Sequence, residues 1–144
     1  MTVNLYTYTT AKAAKNKIVG FGYVLECVIN EKPVTISKTG TFQEVGKNKA
    51  EIKVLNEALQ RIKLGNSVNL FTQSSFVAAV LKGWLKEWIK TGHNSKGEPI
   101  AEIYKETALL LVGRNTSVFE GEHEYLKWLQ SEAEREKSNA IHTG

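Results

Sequence analysis

From Val3 to Tyr8 apolar and polar residues alternate, with Val3, Leu5 and Thr7 on one side and Asn4, Tyr6 and Tyr8 on the other. That period of two predicts a β-strand, and Thr9-Thr10 a polar turn after it. Val68 to Ser75 (VNLFTQSS) repeats the shape: a short apolar strand, then Thr, one variable residue and small polar residues. Two such strand ends, side by side in a parallel sheet, form the crevice where α/β folds keep their chemistry. The residues at the two tips are Tyr8 and Gln73, and neither is a carboxylate.

The pattern between and beyond these strands fills in the remaining elements. Ala11 to Lys17 is a short basic connector. Gly20 to Asn30 (GFGYVLECVIN) predicts a strand with Phe21, Tyr23, Leu25, Cys27 and Ile29 on one face. Gly20 and Gly22 suggest close backbone approach more than a phosphate loop, because no helix follows to supply an anion-binding N-terminus. Asn30-Glu31-Lys32-Pro33 predicts a turn and Val34 to Phe42 a third strand, so the first three strands form an antiparallel meander. Gly46 to Lys63 has helical spacing, with Ile52, Leu55, Leu59 and Ile62 on one stripe. Glu51 borders that stripe, where a carboxylate near the start of the helix suits the helix dipole.

After the fourth strand, Ser74 is placed to cap a helix carrying Phe76, Val77, Val80 and Leu81. A further helical stretch holds Trp84, Leu85, Trp88 and Ile89, with Trp84 and Trp88 four apart on one face. Thr91 to Glu98 is a polar loop. Pro99 is placed to start the next helix, with Ile103, Tyr104, Thr107, Leu110 and Leu111 facing inward. Asn115 to Phe119 predicts a fifth strand and Glu122 to Lys137 a last helix, with a frayed end from Ser138 to Gly144. The order β-β-β-α-β-α-α-α-β-α makes strands four and five parallel to strand one. Residues 1–137 are expected to form one domain, with 138–144 as its tail.

Composition narrows the class. Hydrophobic residues at 42% and charged residues at 24% suit a core-forming globule. No run approaches the ~20 apolar residues of a membrane span, so no membrane partner is expected. Cys27 is the single cysteine, which rules out an intrachain disulfide and suggests a buried structural thiol. With the strand pattern starting at Val3, this leads to the expectation of an intracellular, cytoplasmic protein without a signal peptide. The net charge of +4 is unevenly spread. Lys82 to Lys96 holds four lysines against one glutamate, whereas Glu120 to Lys137 holds six glutamates against three basic residues. A basic patch on one face is compatible with polyanion binding, and ordinary solvated faces account for it equally well. If the helix is continuous there, Lys82, Lys86 and Lys90 form a ridge beside the tryptophans.

Several catalytic classes drop out. Cys27 has no histidine near it in sequence. His93, His123 and His142 have no metal-ligand spacing with one another or with the cysteine. No phosphate-loop or dinucleotide fingerprint is present.

Four motifs in order resemble the type 1 ribonuclease H family. Thr7-Tyr8-Thr9-Thr10 occupies that family's Thr-Asp-Gly-Ser strand end, and Thr72-Gln73-Ser74 its Thr-Asp-Ser. Lys47-Asn48-Lys49-Ala50-Glu51 matches its Asn-Asn-Arg-x-Glu helix start. Trp84, Trp88 and the loop TGHNSKGEPI match its Trp-x-x-x-Trp helix with a basic loop. The resemblance covers Val3 to Lys137 and implies a five-stranded mixed sheet with helices on both faces, the ribonuclease H-like α/β fold.

The resemblance also implies a chemistry. Such enzymes cut RNA in an RNA–DNA hybrid with two divalent ions ~4 Å apart, held by carboxylates of the first strand, first helix, fourth strand and last helix. Those positions align to Tyr8, Glu51, Gln73 and Lys127. Three of the four carboxylates are therefore absent, and Lys127 places a cation where dications would sit. A slipped register instead brings Glu122 or Glu124 towards Glu51, with His123 beside them. The reading is a pseudoenzyme that binds an RNA–DNA hybrid or duplex without cutting it and needs no cofactor. Magnesium or manganese is expected only if the site is active. The nucleic-acid contacts implied are Asn48, Lys49, Ser74, Trp84, Lys86, Lys90, His93 and Lys96. The alternatives are a protein-interaction or structural module on the same fold, and a working hybrid ribonuclease with rearranged ligands.

Overall fold

Strand β1 (Thr2–Thr9) is covered on both faces, as a central strand is when helices pack on each side of the sheet. Val3 and Leu5 pack with Phe21, Tyr23, Leu70 and the helix residues Ile52 and Leu55. Tyr6, on the opposite face, packs with Val24 and Leu129. The computed structural model describes residues 1–13 and 16–143. Ala14 and Lys15 of the expected connector, and Gly144 of the expected tail, lie outside the described residues.

The five strands run in the order β3-β2-β1-β4-β5. Strands β2 (Asn16–Ile29) and β3 (Lys32–Val45) form a long antiparallel hairpin against β1. Strand β4 (Ser67–Thr72) lies parallel to β1 with Leu70 opposite Leu5, and β5 (Thr116–Glu120) lies parallel to β4. The mixed sheet, its central first strand and the helices on both faces are those the sequence predicts. Both hairpin strands are longer than predicted, because the turn is only Asn30-Glu31. Those residues have φ of 51° and 65°, the left-handed geometry that matches the twist of a two-residue hairpin. Pro33 consequently lies inside β3, where an edge strand tolerates its missing donor. Cys27, near the hairpin tip, is half-buried instead of fully buried.

Helix α1 (Lys47–Leu59) lies on one sheet face, ending short of Lys63. After β4 come α2 (Ser75–Ala79), one π-helical turn at Val80–Trp84, and α3 (Leu85–Thr91). The buried stripe therefore steps from Val80 to Leu85, and Trp84 is left 47% exposed while Trp88 is 7% exposed. A π turn holds one residue more than an α turn, which a reading at strict helical spacing puts on the wrong face. Helix α4 (Glu102–Leu111) starts after Pro99, not at it, because Pro99 pairs with His93 across the base of the loop. Helix α5 (Leu126–Thr143) covers the other face. It begins later than Glu122 and continues past Lys137, where the sequence reading expects a frayed end. The later start has a local cause, since His123 and Tyr125 pack against Tyr6 and hold the segment before the helix. No helix among the described residues is long and apolar enough to cross a membrane.

Asn56 fastens α4 to α1. It is buried, donates to the Ile103 carbonyl at 3.1 Å and accepts from the buried Thr107 hydroxyl at 2.6 Å. Asn56→Ala removes both bonds between the helices and leaves the buried Thr107 hydroxyl only the Ile103 carbonyl of its own helix, at 2.9 Å. Stability should fall by about 1–3 kcal/mol, measured as a lower urea midpoint at unchanged slope. An unchanged midpoint would mean that water replaces the amide.

Candidate functional site

Because β1 and β4 are parallel neighbours, their tips leave the sheet side by side. Between them and α1 lies a pocket of about 300 Å³ lined by Tyr8, Lys47, Glu51, Gln73, Ser74 and Ser75, among others. Ser74 connects two elements. Its hydroxyl accepts from the Val77 amide at 3.0 Å, capping α2, and donates to the Glu51 carboxylate. Burial pushes the Glu51 carboxyl above its ordinary range, opposed by the Ser74 hydrogen bond and the charge of Lys47. The Tyr8 ring packs against the Tyr6–Val24–Leu129 cluster, so it turns towards α5 as well as bordering the pocket. Burial, and then the charge of Glu134, raises its phenol above the ordinary value. Gln73 and Ser75 are exposed.

A second concavity of about 500 Å³ is reached past Phe76, which lines both. Asn48, Trp84, Trp88, Lys96 and Tyr104 contribute to it. The Trp88 indole donates to Ser95 at 3.1 Å and stands edge-on to Tyr104. Asn94 shapes the loop, accepting from the amides of Lys96 and Glu98 at 2.9 and 3.0 Å. Lys82, Lys86 and Lys90 are all exposed on the outer side of this helical region.

Residues 2–136 match the RNase H family model. The chain belongs to the RNase H family. A ribonuclease H of Hahella chejuensis (strain KCTC 2396) is 31% identical over 103 residues, which is 71% of this chain and 66% of that relative. The match thus spans just under two thirds of the relative's length. Among solved structures, LC9-RNase H1, a type 1 RNase H with the type 2 active-site motif, superposes with a TM-score of 0.76 at 14% identity, covering 96% of this chain and 72% of that one. LC11-RNase H1 in complex with an RNA/DNA hybrid gives 0.68 at 14%, covering 96% and 99%. A foamy viral protease-reverse transcriptase in complex with an RNA/DNA hybrid gives 0.73 at 19%, covering 95% and 20%. These likenesses establish the RNase H fold.

Of the four positions that the RNase H resemblance nominates as ligands, the structure brings Tyr8, Glu51 and Gln73 to one pocket. Lys127 is exposed in the first turn of α5 and does not line it. Glu122 and Glu124 do not line it either, and Glu124 instead accepts from the Tyr6 hydroxyl at 2.9 Å. His123 lies with its ring 5.0 Å from that of Tyr6, and burial lowers its pKa. Among the described residues no three His, Cys, Asp or Glu side chains come together in a way that would hold a metal. One carboxylate facing an ammonium group is a poor donor set for hard dications, so the residues present do not fit the family's ion pair.

Of the expected nucleic-acid contacts, Asn48, Trp84 and Lys96 meet in the aromatic concavity, and Ser74 lies in the neighbouring pocket. Lys86, Lys90 and His93 lie outside both linings. Lys49 borders a different hollow with Phe42 and Lys53. The sequence reading misses Lys47, Ser75 and Asn94 as site residues. Lys47 directly precedes the Asn48 it nominates. Asn94 has a legible signal, an Asn followed by Ser-Lys-Gly in a loop.

On the α5 face, the Tyr6 hydroxyl donates to Glu124 and the Tyr125 hydroxyl to Glu26. Burial first, then the Glu124 hydrogen bond, raises the Tyr6 phenol far above its ordinary value. The hydrogen bond to Glu26, followed by burial, pushes Tyr125 up to about 12. Both phenols hold their protons more tightly folded than unfolded. Their stabilisation is complete below pH ~10, the unfolded value, and is lost as pH rises through 12. Denaturant midpoints should fall across that window, and Tyr6→Phe should flatten the fall. A midpoint that holds through pH 12 would mean the two bonds are not formed in solution.

Proposed function

We propose that this RNase H family member binds an RNA–DNA hybrid or nucleic-acid duplex, inside the cell, without metal-dependent cleavage and without a cofactor. The observation that carries the reading is the pocket at the strand tips. Tyr8 and Gln73 stand where carboxylates would hold ions, and Glu51 shares the space with Lys47. The aromatic concavity with Asn48, Trp84 and Lys96, flanked by the exposed Lys86 and Lys90, supports a strand-binding role. Aromatic faces stack on bases, and lysines neutralise phosphates with release of counterions. Two of the similar solved structures hold RNA/DNA hybrids.

The test is hybrid binding across a salt series, alongside a cleavage assay in magnesium and in manganese. Log affinity should fall linearly with log salt, and each of Lys86→Ala, Lys90→Ala and Lys96→Ala should reduce the slope by about 1. Affinity indifferent to salt would sink the nucleic-acid reading. Cleavage by the purified protein, abolished by Glu51→Gln, would establish instead a working ribonuclease with rearranged ligands.

A second reading, a protein-interaction module on the RNase H fold, is favoured by one observation. Ile29, Val34 and Ile36 are exposed together on one face near the tip of the β2–β3 hairpin. Surface of that kind marks protein contacts more often than nucleic-acid ones. It would prevail if hybrid binding fails.

A further inference from the structure

We infer that the strand-tip pocket is an anion site, and that it takes a backbone phosphate of the bound strand directly, with no metal between. This rests on the nucleic-acid reading above and says how one part of the strand is held.

The inference follows from the donor set. The Tyr8 phenol, raised above its ordinary value by its surroundings, is a neutral O–H at working pH. Thr9 and Ser75 bring further hydroxyls, Gln73 an amide, and Lys47 an ammonium group at the first position of α1. Against these stands a single carboxylate, Glu51, and it already accepts the Ser74 hydroxyl. Donors outnumber acceptors, and the two formal charges cancel. Such a lining leaves a dication undersupplied with oxygen ligands, whereas it offers a phosphate several O–H and N–H partners and one cation. At about 300 Å³ the pocket has room for a phosphate group. Its position is also suitable, since Phe76 borders both this pocket and the aromatic concavity. A strand whose bases lie along Trp84 and Trp88 would carry a phosphate towards Lys47.

The role of Glu51 is thereby reversed. In a metal site it is the most valuable residue left, and in an anion site it is the one unfavourable charge. The two cases differ in the sign of a mutation's effect. Inorganic phosphate is titrated into the purified protein in EDTA and followed by amide chemical shifts, with magnesium titrated separately. Phosphate should shift resonances of Lys47, Glu51, Ser74 and Ser75. Glu51→Gln, which can keep the bond from Ser74, should tighten phosphate binding about three- to tenfold by removing a like charge. Lys47→Ala should weaken it by a similar factor. Gln73→Glu alters an exposed side chain, so folding is not at stake, and it should weaken phosphate binding too.

Shifts confined to the Lys82–Lys96 region, scattered shifts of an adventitious ion only, or weaker phosphate binding by Glu51→Gln would each overturn the inference. Magnesium shifts at Glu51 and Gln73 in the parent protein would overturn it as well. A separate arm measures hybrid affinity by anisotropy. If the hybrid binds and phosphate leaves the pocket resonances unmoved, this inference falls while the nucleic-acid reading stands. If phosphate binds as expected and the hybrid does not, the pocket is an anion site for a free phosphate. The strand then falls as its occupant, and the nucleic-acid reading falls with it.

Discussion

The Tyr8→Asp/Gln73→Asp variant will melt below the parent protein in EDTA and will recover, or exceed it, in millimolar magnesium, while the parent will not respond to the ion. The two replacements put carboxylates at both strand tips, beside Glu51 in a pocket where burial already raises that carboxyl. Three carboxylates in one pocket repel until an ion enters. The apo variant also loses the Tyr8 ring from the Tyr6–Val24–Leu129 cluster, so part of its deficit is packing that magnesium cannot restore. An ion that binds only the folded state stabilises it by ~2.7 kcal/mol at one hundred times its dissociation constant. For a chain of this length, at about 2.1 cal/mol/K of unfolding entropy per residue, that corresponds to roughly 9 °C. The sequence alignment would add Lys127→Asp, but Lys127 is exposed and away from the pocket. The triple variant should therefore gain little over the double. Thermal melts at matched ionic strength, with calcium as a second ion, decide the matter. A parent protein stabilised by magnesium as strongly as the variant would remove the basis for reading the site as having lost its metal.

Gly20→Ala should be the most damaging single methyl in the sheet. A Cβ built on Gly20 falls 1.9 Å from the Ala133 carbonyl oxygen, a backbone atom of α5. No side chain can turn aside to accept it, so either α5 lifts or β2 bends. Gly20 is also tied to β1, its amide donating to the Thr10 hydroxyl at 3.0 Å and its carbonyl accepting from the Thr10 amide at 2.9 Å, which resists the second option. Overpacking of this kind costs typically 1–3 kcal/mol and occasionally more, and here the upper end or beyond is expected. Gly22→Ala is the control. Its nearest obstacle is the end of the Leu129 side chain at 2.9 Å, which can change rotamer, so its cost should be smaller. Urea midpoints for the two variants should differ clearly, and equal midpoints would show that α5 is seated more loosely on β2 than the packing of Leu129 and Ala133 implies.

The two glycines illustrate how the sequence could be read and where it could not. A glycine pair in a strand points to close approach by something, and here that something is helix α5, which no local pattern names. The sheet was legible for a related reason. Strands alternate or run apolar over distances that a period detects, so β1, β4 and their parallel pairing follow from the two repeated strand ends. The helical region after β4 was less legible. Spacing alone pairs Trp84 with Trp88 on a buried face, whereas the π turn gives the core position to Leu85. The start of α5 was misplaced because Glu122 to Tyr125 has adequate helix formers, and the contacts that withhold it, between His123, Tyr125 and Tyr6, join residues far apart in sequence. At the site, Tyr8, Glu51 and Gln73 were found by motif and do converge. Lys47 stands four residues before Glu51 on α1, a spacing that already puts the two side chains on one face; what the sequence does not show is that this face borders the strand tips, which requires α1 to be docked.

The turn at Val80–Trp84 also bears on how this chain tolerates changes in length. Buried positions Val77, Val80, Leu85 and Trp88 are spaced three, five and three. Taking out Gly83, whose missing side chain faces open space, would convert that spacing to three, four and three, the rhythm of an unbroken α-helix. Every core partner would keep its place, and only the outward residues around Trp84 would be rearranged. The helix thus carries one spare residue at a point where its removal costs no buried contact. A gain or loss of one residue between related chains is most easily accommodated here, next to the aromatic concavity, and each such change would redraw the exposed rim without disturbing the core beneath it.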